Sequence, residues 1–265
     1  MQINKLRNII YFNQKHQKQV EDLASLVGIE NDINTKFIDI RNVLRELCNK
    51  LGISIFEIPI IDKEIGAIFY IQDGKKYILL NSNIPRVNIN FAIAHELYHI
   101  YVKDSAMNYN NGDVFIIDEY MDNENEMLAN AFAAELLMPK FEVSYIYHFF
   151  SKENNNDFEL IIKLMNYFST PYMSVLIRLL EIDKLKDSSL IDLVNKSEDE
   201  IMEAAREYKI DTDLLKPSQR DDTDAIIESL TKEGNRLIEK DLLSPGQLKR
   251  TIDKVEKILM KLSGK

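Results

Sequence analysis

The stretch Ala94-His95-Glu96-Leu97-Tyr98-His99-Ile100 places two histidines four residues apart around a glutamate. On an α-helix, residues i and i+4 share a face, so both imidazoles can converge on one metal ion. Glu96 cannot reach the same coordination position. It can lie against a water there and act as general base once zinc has lowered that water's pKa towards ~7. Two of the chain's four histidines fall in this pentapeptide. The plainer alternative is a pair of helix-face histidines with ordinary hydrogen bonds.

A catalytic zinc takes three protein ligands and keeps one position open. Downstream lies Glu124-Asn125-Glu126-Met127-Leu128-Ala129-Asn130-Ala131-Phe132-Ala133-Ala134-Glu135-Leu136-Leu137-Met138-Pro139. Its small and apolar residues recur at helical spacing, and Pro139 supplies a stop. Glu126 follows His99 by 27 residues, enough for a loop between two helices. Asn130 falls four beyond Glu126, on the same helix face, where an acceptor for a ligand imidazole's free N–H belongs. Asp118, Glu119, Asp122 and Glu124 crowd just upstream, so a solvated acidic face is the competing interpretation of Glu126.

The combination of HELYH with E-x-x-A-N-x-F-A-A-E-L-L-M-P resembles the ImmA/IrrE family of zinc metallopeptidases, within the wider glutamate-zincin group. The resemblance runs from about Ile53 to about Leu185. It implies one Zn2+ per chain on His95, His99 and Glu126, with Glu96 as the catalytic base and Asn130 behind a ligand histidine. Many glutamate zincins outside this family carry Asp where this chain has Asn130. An Asn carbonyl still accepts from an imidazole N–H but brings no charge to raise the ligand's basicity. Manganese or iron could occupy the same two-His-one-carboxylate set, so zinc follows from motif chemistry.

Composition limits the alternatives. At 265 residues with 45% hydrophobic content, the chain is long enough for one good core plus an appendage, or for two small domains. A net charge of −10 argues against direct nucleic-acid binding, which needs clustered Lys and Arg, and suits a basic protein partner instead. The lone Cys48 rules out an intramolecular disulfide and fits a reducing cytoplasm. It reads as a buried small hydrophobe. No apolar run approaches a signal peptide or the ~18 residues of a membrane span.

The fold expectation is α+β: a small, mainly antiparallel sheet packed by zincin-like helices, followed by a mostly helical C-terminal half. Residues 1–50 read as an N-terminal helical segment without a basic recognition helix. Residues 51–185 form the metallopeptidase core, with metal motifs at 95–99 and 126–130, and 186–265 a helical extension. Ile53-Ser54-Ile55-Phe56-Glu57-Ile58 alternates with period two, and Asp73-Gly74 marks a hairpin between 67–71 and 77–80. Residues 87–102 carry the first motif. The long loop 103–123 is a candidate lid, and its Val114-Phe115-Ile116-Ile117 an edge strand. Pro171 is expected at the first position of a helix, and Ser197–Glu200 and Ser244–Gln247 as capping boxes. Pro217–Asp222 reads as a linker before a helical hairpin, about 223–262. The apolar seam of that hairpin (Leu248, Ile252, Val255, Leu259, Leu262) folds back on the core, self-associates or docks a partner. Tyr98 is a weak candidate for the site mouth, and Arg178 for a transition-state clamp, with core and structural roles the alternatives. His148 reads as a packed or surface histidine rather than a fourth ligand, and His16 as a surface histidine.

The expected function is a cytoplasmic zinc-dependent endopeptidase. The family resemblance implies a helix-turn-helix transcriptional repressor as substrate, whose cleavage relieves repression of a mobile element or stress response. The alternative is an anti-repressor, or a toxin–antitoxin component, that acts by protein–protein binding alone.

Overall fold

A computed structural model describes residues 3–30, 40–72, 75–104, 114–116, 124–153, 156–185 and 187–264. Three helices lead the chain: α1 (Ile3–Lys15), α2 (Gln17–Glu30) and α3 (Ile40–Lys50). Strands β1 (Ile53–Ile58), β2 (Ala67–Gln72) and β3 (Lys75–Asn81) precede the long helix α4 (Arg86–Asp104). The short β4 (Val114–Ile116) and the helix α5 (Glu124–Leu137) complete the region around the metal motifs. The helices α6 (Lys140–Ser151), α7 (Asp157–Phe168), α8 (Tyr172–Glu181), α9 (Asp187–Val194) and α10 (Glu198–Glu207) follow, then a 3-10 turn at Thr212–Leu215. The last pair is α11 (Thr223–Ile238) and α12 (Pro245–Ser263). Both expected capping boxes form, at Ser197/Glu200 and Ser244/Gln247. Pro171 occupies the N-cap of α8, one residue before the first helical position. No single helix among the described residues is long and apolar enough to cross a membrane.

The fold is α+β, and its sheet is mixed, with order β1-β3-β2-β4. The β2–β3 hairpin and the β2–β4 pair are antiparallel, while β1 runs parallel to β3. The parallel pair departs from a uniformly antiparallel meander because β3 inserts between β1 and β2. The connection from β1 to β2 must therefore step across β3. Buried Asn81, at the end of β3, stitches that crossing: its Oδ1 accepts from the backbone of Ile60 and Asn83, and its Nδ2 donates to the carbonyls of Asp62 and Ile65. One side chain thus satisfies four backbone groups that no ladder reaches.

Period-two alternation sends the strand residues to two cores. Ala67, Phe69, Ile78 and Leu80 face the main core with α4, whereas Ile68 and Leu79 face a second cluster around Ile58, Ile60 and Leu259. That second cluster takes in Ile226, Ile227, Val255 and Leu262, so the C-terminal hairpin covers the sheet's outer face. Val255, Leu259 and Leu262 of its seam thus fold back on the sheet. Residues 217–222 are not a free linker either. Pro217 bridges to Pro85, Asp222 exchanges backbone and carboxylate hydrogen bonds with Glu57, and Ser218 Oγ donates to Glu57, whose carboxylate also pairs with Arg45. The segment straps the edge of the sheet beside β1.

At the other side of α4 and α5, α1 and α8 meet around Arg178, which is 3% exposed. Its Nη1 lies 3.0 Å from Glu135 on α5 and 2.9 Å from Glu181 on α8, and Asn13 on α1 donates to Glu181. Burial raises the pKa of Glu135, and the Arg178 charge works against that rise.

These contacts predict two losses of stability, both readable by urea denaturation. Asn81→Ala orphans four backbone groups and is expected to cost about 3 kcal/mol or more. Arg178→Met leaves Glu135 and Glu181 buried without their cation, at a cost of about 3–5 kcal/mol. The Glu135 pKa then rises further above its unfolded value, so the folded state takes up a proton there on acidification. The deficit is full above that raised value and shrinks as pH falls through it. An Arg178→Met deficit that grows on acidification would contradict this assignment.

Candidate metal centre

The site is built on two neighbouring helices whose facing surfaces are lined with small residues. Ala94 on α4, and Ala129 and Ala133 on α5, are fully buried, and these small side chains let the helix axes approach. α5 is buried on most of its circumference, as a helix in a protein interior must be. On α4, His95 and His99 lie one turn apart and point at α5. Their rings are 5.0 Å apart between centroids, and His99 Nε2 stands 3.2 Å from His95 Nε2. From α5, Glu126 places Oε2 3.1 Å from His95 Nε2 and Oε1 3.4 Å from His99 Nε2. These three residues form a set whose ligand atoms all lie within 4.8 Å of one another.

Those separations fit a four-coordinate metal. Tetrahedral ligands at 2.0–2.2 Å from an ion are separated by roughly 3.3–3.6 Å, close to the distances observed here. The orientation of His95 fits as well, because its Nδ1 lies 3.0 Å from Asn130 Oδ1. With the proton on Nδ1 donated to that carbonyl, Nε2 presents a lone pair to Glu126 and His99. Asn130 thus backs His95 on the side away from Glu126 and His99.

The electrostatics agree. Burial works against a charged His95, but the hydrogen bond with Glu126, the charges of Glu96 and Glu126, and Asn130 outweigh it and raise its pKa. Burial would likewise raise the Glu126 pKa, yet the two histidines hold that carboxyl well below the usual range. The cluster therefore demands positive charge, and metal and protons compete for it. His95, Glu96 and His99 are 1%, 0% and 6% exposed, whereas the Glu126 side chain is 27% exposed. Solvent reaches the centre on the Glu126 side.

Glu96 projects from α4 between the two histidines in sequence, buried in the same layer, and its charge is felt both at His95 and at Cys48. Burial, helped by Glu96 and opposed by Arg45, pushes the Cys48 thiol up to about 12, so Cys48 stays protonated as a packed core residue.

Other candidates are held in the surrounding core. Tyr98 is 3% exposed and packs edge-on to His99 and against Phe132, which puts it in the core rather than at a mouth. Arg178 is held by Glu135 and Glu181 and does not face the ligand cluster. His16, expected at the surface, is half-buried, stacked on Phe12 at 4.4 Å and 3.6 Å from Glu124. His148 is exposed on α6. Most of the candidate lid, 105–113 and 117–123, lies outside the described residues. β4 within it pairs with β2 and forms an edge of the sheet. The sequence reading overlooked the Glu135–Arg178–Glu181 cluster. Its signal was Glu135 itself, a carboxylate inside an otherwise small and apolar run.

Comparison with known proteins meets this geometry. A 32% identity over 102 residues links the chain to an uncharacterized immunity region protein 2 of Bacillus phage phi105, covering 37% of this chain. The match spans 60% of that relative's length. Residues 48–180 match the model of peptidase family M78, the IrrE N-terminal-like domain, which takes in α4, α5 and α8 together with both metal motifs. On that match, the chain belongs to the IrrE N-terminal-like family of metallopeptidase domains.

Proposed function

We propose that the chain is a zinc-dependent endopeptidase of the cytoplasm that cleaves a helix-turn-helix transcriptional repressor. The observation that carries the metal assignment is the convergence of His95 Nε2, His99 Nε2 and Glu126 at 3.1–3.4 Å, with Asn130 fixing the His95 tautomer. His95, His99 and Glu126 would hold one ion per chain. Zinc, when bound, supplies a Lewis acid that acidifies a water molecule and polarises a carbonyl oxygen. Glu96 accepts a proton as the water oxygen bonds to the scissile carbonyl carbon. It returns that proton to the amide nitrogen as the carbon–nitrogen bond breaks. The immunity-region description of the phage relative supports a role in phage or mobile-element regulation. The net charge of −10 suits a basic DNA-binding substrate.

One observation favours a second reading, a binding anti-repressor with no cleavage. Arg178 is held by Glu135 and Glu181, so among the described residues this guanidinium is not free to donate to a developing oxyanion. In the C-terminal hairpin, Val255, Leu259 and Leu262 of the seam pack against the sheet, while Leu248 packs against Gly234 of α11.

Two outcomes test the peptidase. Glu96→Gln is expected to retain one zinc per chain by native mass spectrometry while losing at least 100-fold in cleavage of the repressor. Glu126→Ala is expected to lose both metal and cleavage. Full cleavage by Glu96→Gln would sink the mechanism, and release of the repressor without cleavage by both proteins would favour the binding reading. The raised His95 pKa sets the pH dependence of loading. Below it, a proton must leave before metal binds, so zinc affinity should fall up to about tenfold per pH unit for each proton displaced, and level off above it. Competition with a chromophoric chelator from pH 8 to 5 measures this slope, and a flat profile would remove His95 from the ligand set.

A further inference from the structure

Apolar side chains cover both faces of α6, whereas a surface helix ordinarily turns a polar face to solvent. Val143, Ile146, Tyr147 and Phe150 belong to the main core, beside α7 and α8. On the opposite face Phe141, Tyr145 and Phe149 are 81%, 68% and 59% exposed. They recur every four residues and so form one stripe along the helix. Tyr167 on α7, 46% exposed, extends the stripe through Phe150, whose ring meets both Phe149 and Tyr167 edge-on. No described element covers this surface. Contiguous exposed aromatics mark an interaction site, whereas single exposed apolar residues are ordinary.

The stripe is complementary to itself. When two copies of α6 meet antiparallel about a twofold axis through Tyr145, Phe141 meets the partner's Phe149, and Phe149 meets the partner's Phe141. Glu142 and His148 flank the stripe on opposite sides, three residues before and three after Tyr145. The antiparallel pairing sets Glu142 against the partner's His148, whose imidazole can donate to the carboxylate. A parallel pairing would set Glu142 against Glu142 of the partner subunit and lose that match. With about 200 Å² for each ring, the exposed fractions of the four aromatics amount to about 500 Å² per chain and about 1,000 Å² per pair. That reaches the area a specific interface needs before any flanking residue is counted. Charge supports the same occupant. The formal charges on α6, Lys140 and Glu142, cancel. The net charge of −10 is therefore carried elsewhere, and this face neither attracts a basic protein nor repels a second copy.

We propose that α6 is a self-association surface, through which two copies of this chain form a twofold dimer with Phe141, Tyr145 and Phe149 in antiparallel register. An interface at the lower bound of area is weak, so a dissociation constant of about 10–100 µM is expected. The metal ligands and Glu96 lie on α4 and α5, so the dimer stands or falls separately from the peptidase reading.

Sedimentation equilibrium of the full chain is the test. Between about 1 and about 200 µM the mass should rise from 30.9 kDa towards twice that value. Tyr145→Glu sets two carboxylates against each other on the twofold axis and should weaken the dimer at least about tenfold. Because Tyr145 is exposed, the circular dichroism and melting of this variant should match the parent. Ile258→Ser removes an exposed apolar residue from α12 and should leave the dimer unchanged. A short bis-maleimide reads the register, since buried Cys48 is closed to it. Tyr145→Cys should cross-link to itself, and Phe141→Cys should cross-link to Phe149→Cys in preference to itself. A mass of 30.9 kDa at about 200 µM, an undiminished dimer in Tyr145→Glu, or loss of the dimer in Ile258→Ser would each overturn the proposal. If such a monomer binds the repressor or zwitterionic vesicles and Tyr145→Glu does not, the stripe belongs to that partner instead.

Discussion

Two imidazole nitrogens and a carboxylate held 3.1–3.4 Å apart repel one another unless positive charge lies among them. The rest of the structure is arranged around that constraint. Small buried alanines bring α4 and α5 close enough for the three groups to meet. The sheet and the surrounding helices then keep both histidines buried, with Glu126 left partly exposed, and low exposure of the histidines strengthens the demand for a cation. The Asn130 hydrogen bond removes the remaining freedom, fixing which face of His95 looks inward. Coordination chemistry and helix packing are therefore one problem in this chain. The spacing that makes a metal site is also the spacing that makes a tight helix pair.

Polar side chains in the interior serve as positioning devices at three places. Asn81 holds the crossing that lets β3 enter between β1 and β2. Glu57 anchors the strap of residues 217–222 along β1. Arg178 joins α5 to α8, and Glu181 extends the link to α1. Asn81 and Glu57 have their hydrogen-bonding atoms matched, whereas Arg178 Nε is buried without a hydrogen-bond partner among the described residues.

What the sequence disclosed was local. The i, i+4 histidines, the i, i+4 Glu126/Asn130 pair, the capping boxes and the antiparallel pairing of β2 with β3 depend on neighbours within a few residues, where helical and strand periodicity is decisive. The convergence of the two motifs was legible because zinc chemistry relates residues that periodicity cannot. The parallel β1–β3 pair was not legible, since period-two alternation fixes which face a residue takes but not which strand lies beside it. Pro217–Asp222 has the composition of a linker, and only its partners on Glu57, Ser82 and Pro85 make it a strap. His16 and Arg178 were ambiguous for a related reason. A charged or amphipathic side chain on a helix declares its burial through residues supplied by distant elements.

The covering of the sheet by α11 and α12 has a kinetic meaning. The helices are local structures that form in microseconds. The contacts that finish the molecule are of another kind. Glu57 meets Asp222 across 165 residues, and Asn13 meets Glu181 across 168. The entropy of closing such loops grows only logarithmically with length, so equilibrium stability is little affected. Folding rate is sensitive to sequence separation, and these encounters must occur before the two faces of the sheet are sealed. The chain therefore combines the composition of a fast-folding helical protein with the long-range closure of a slow one, and its refolding is governed by the meeting of distant segments rather than by helix formation.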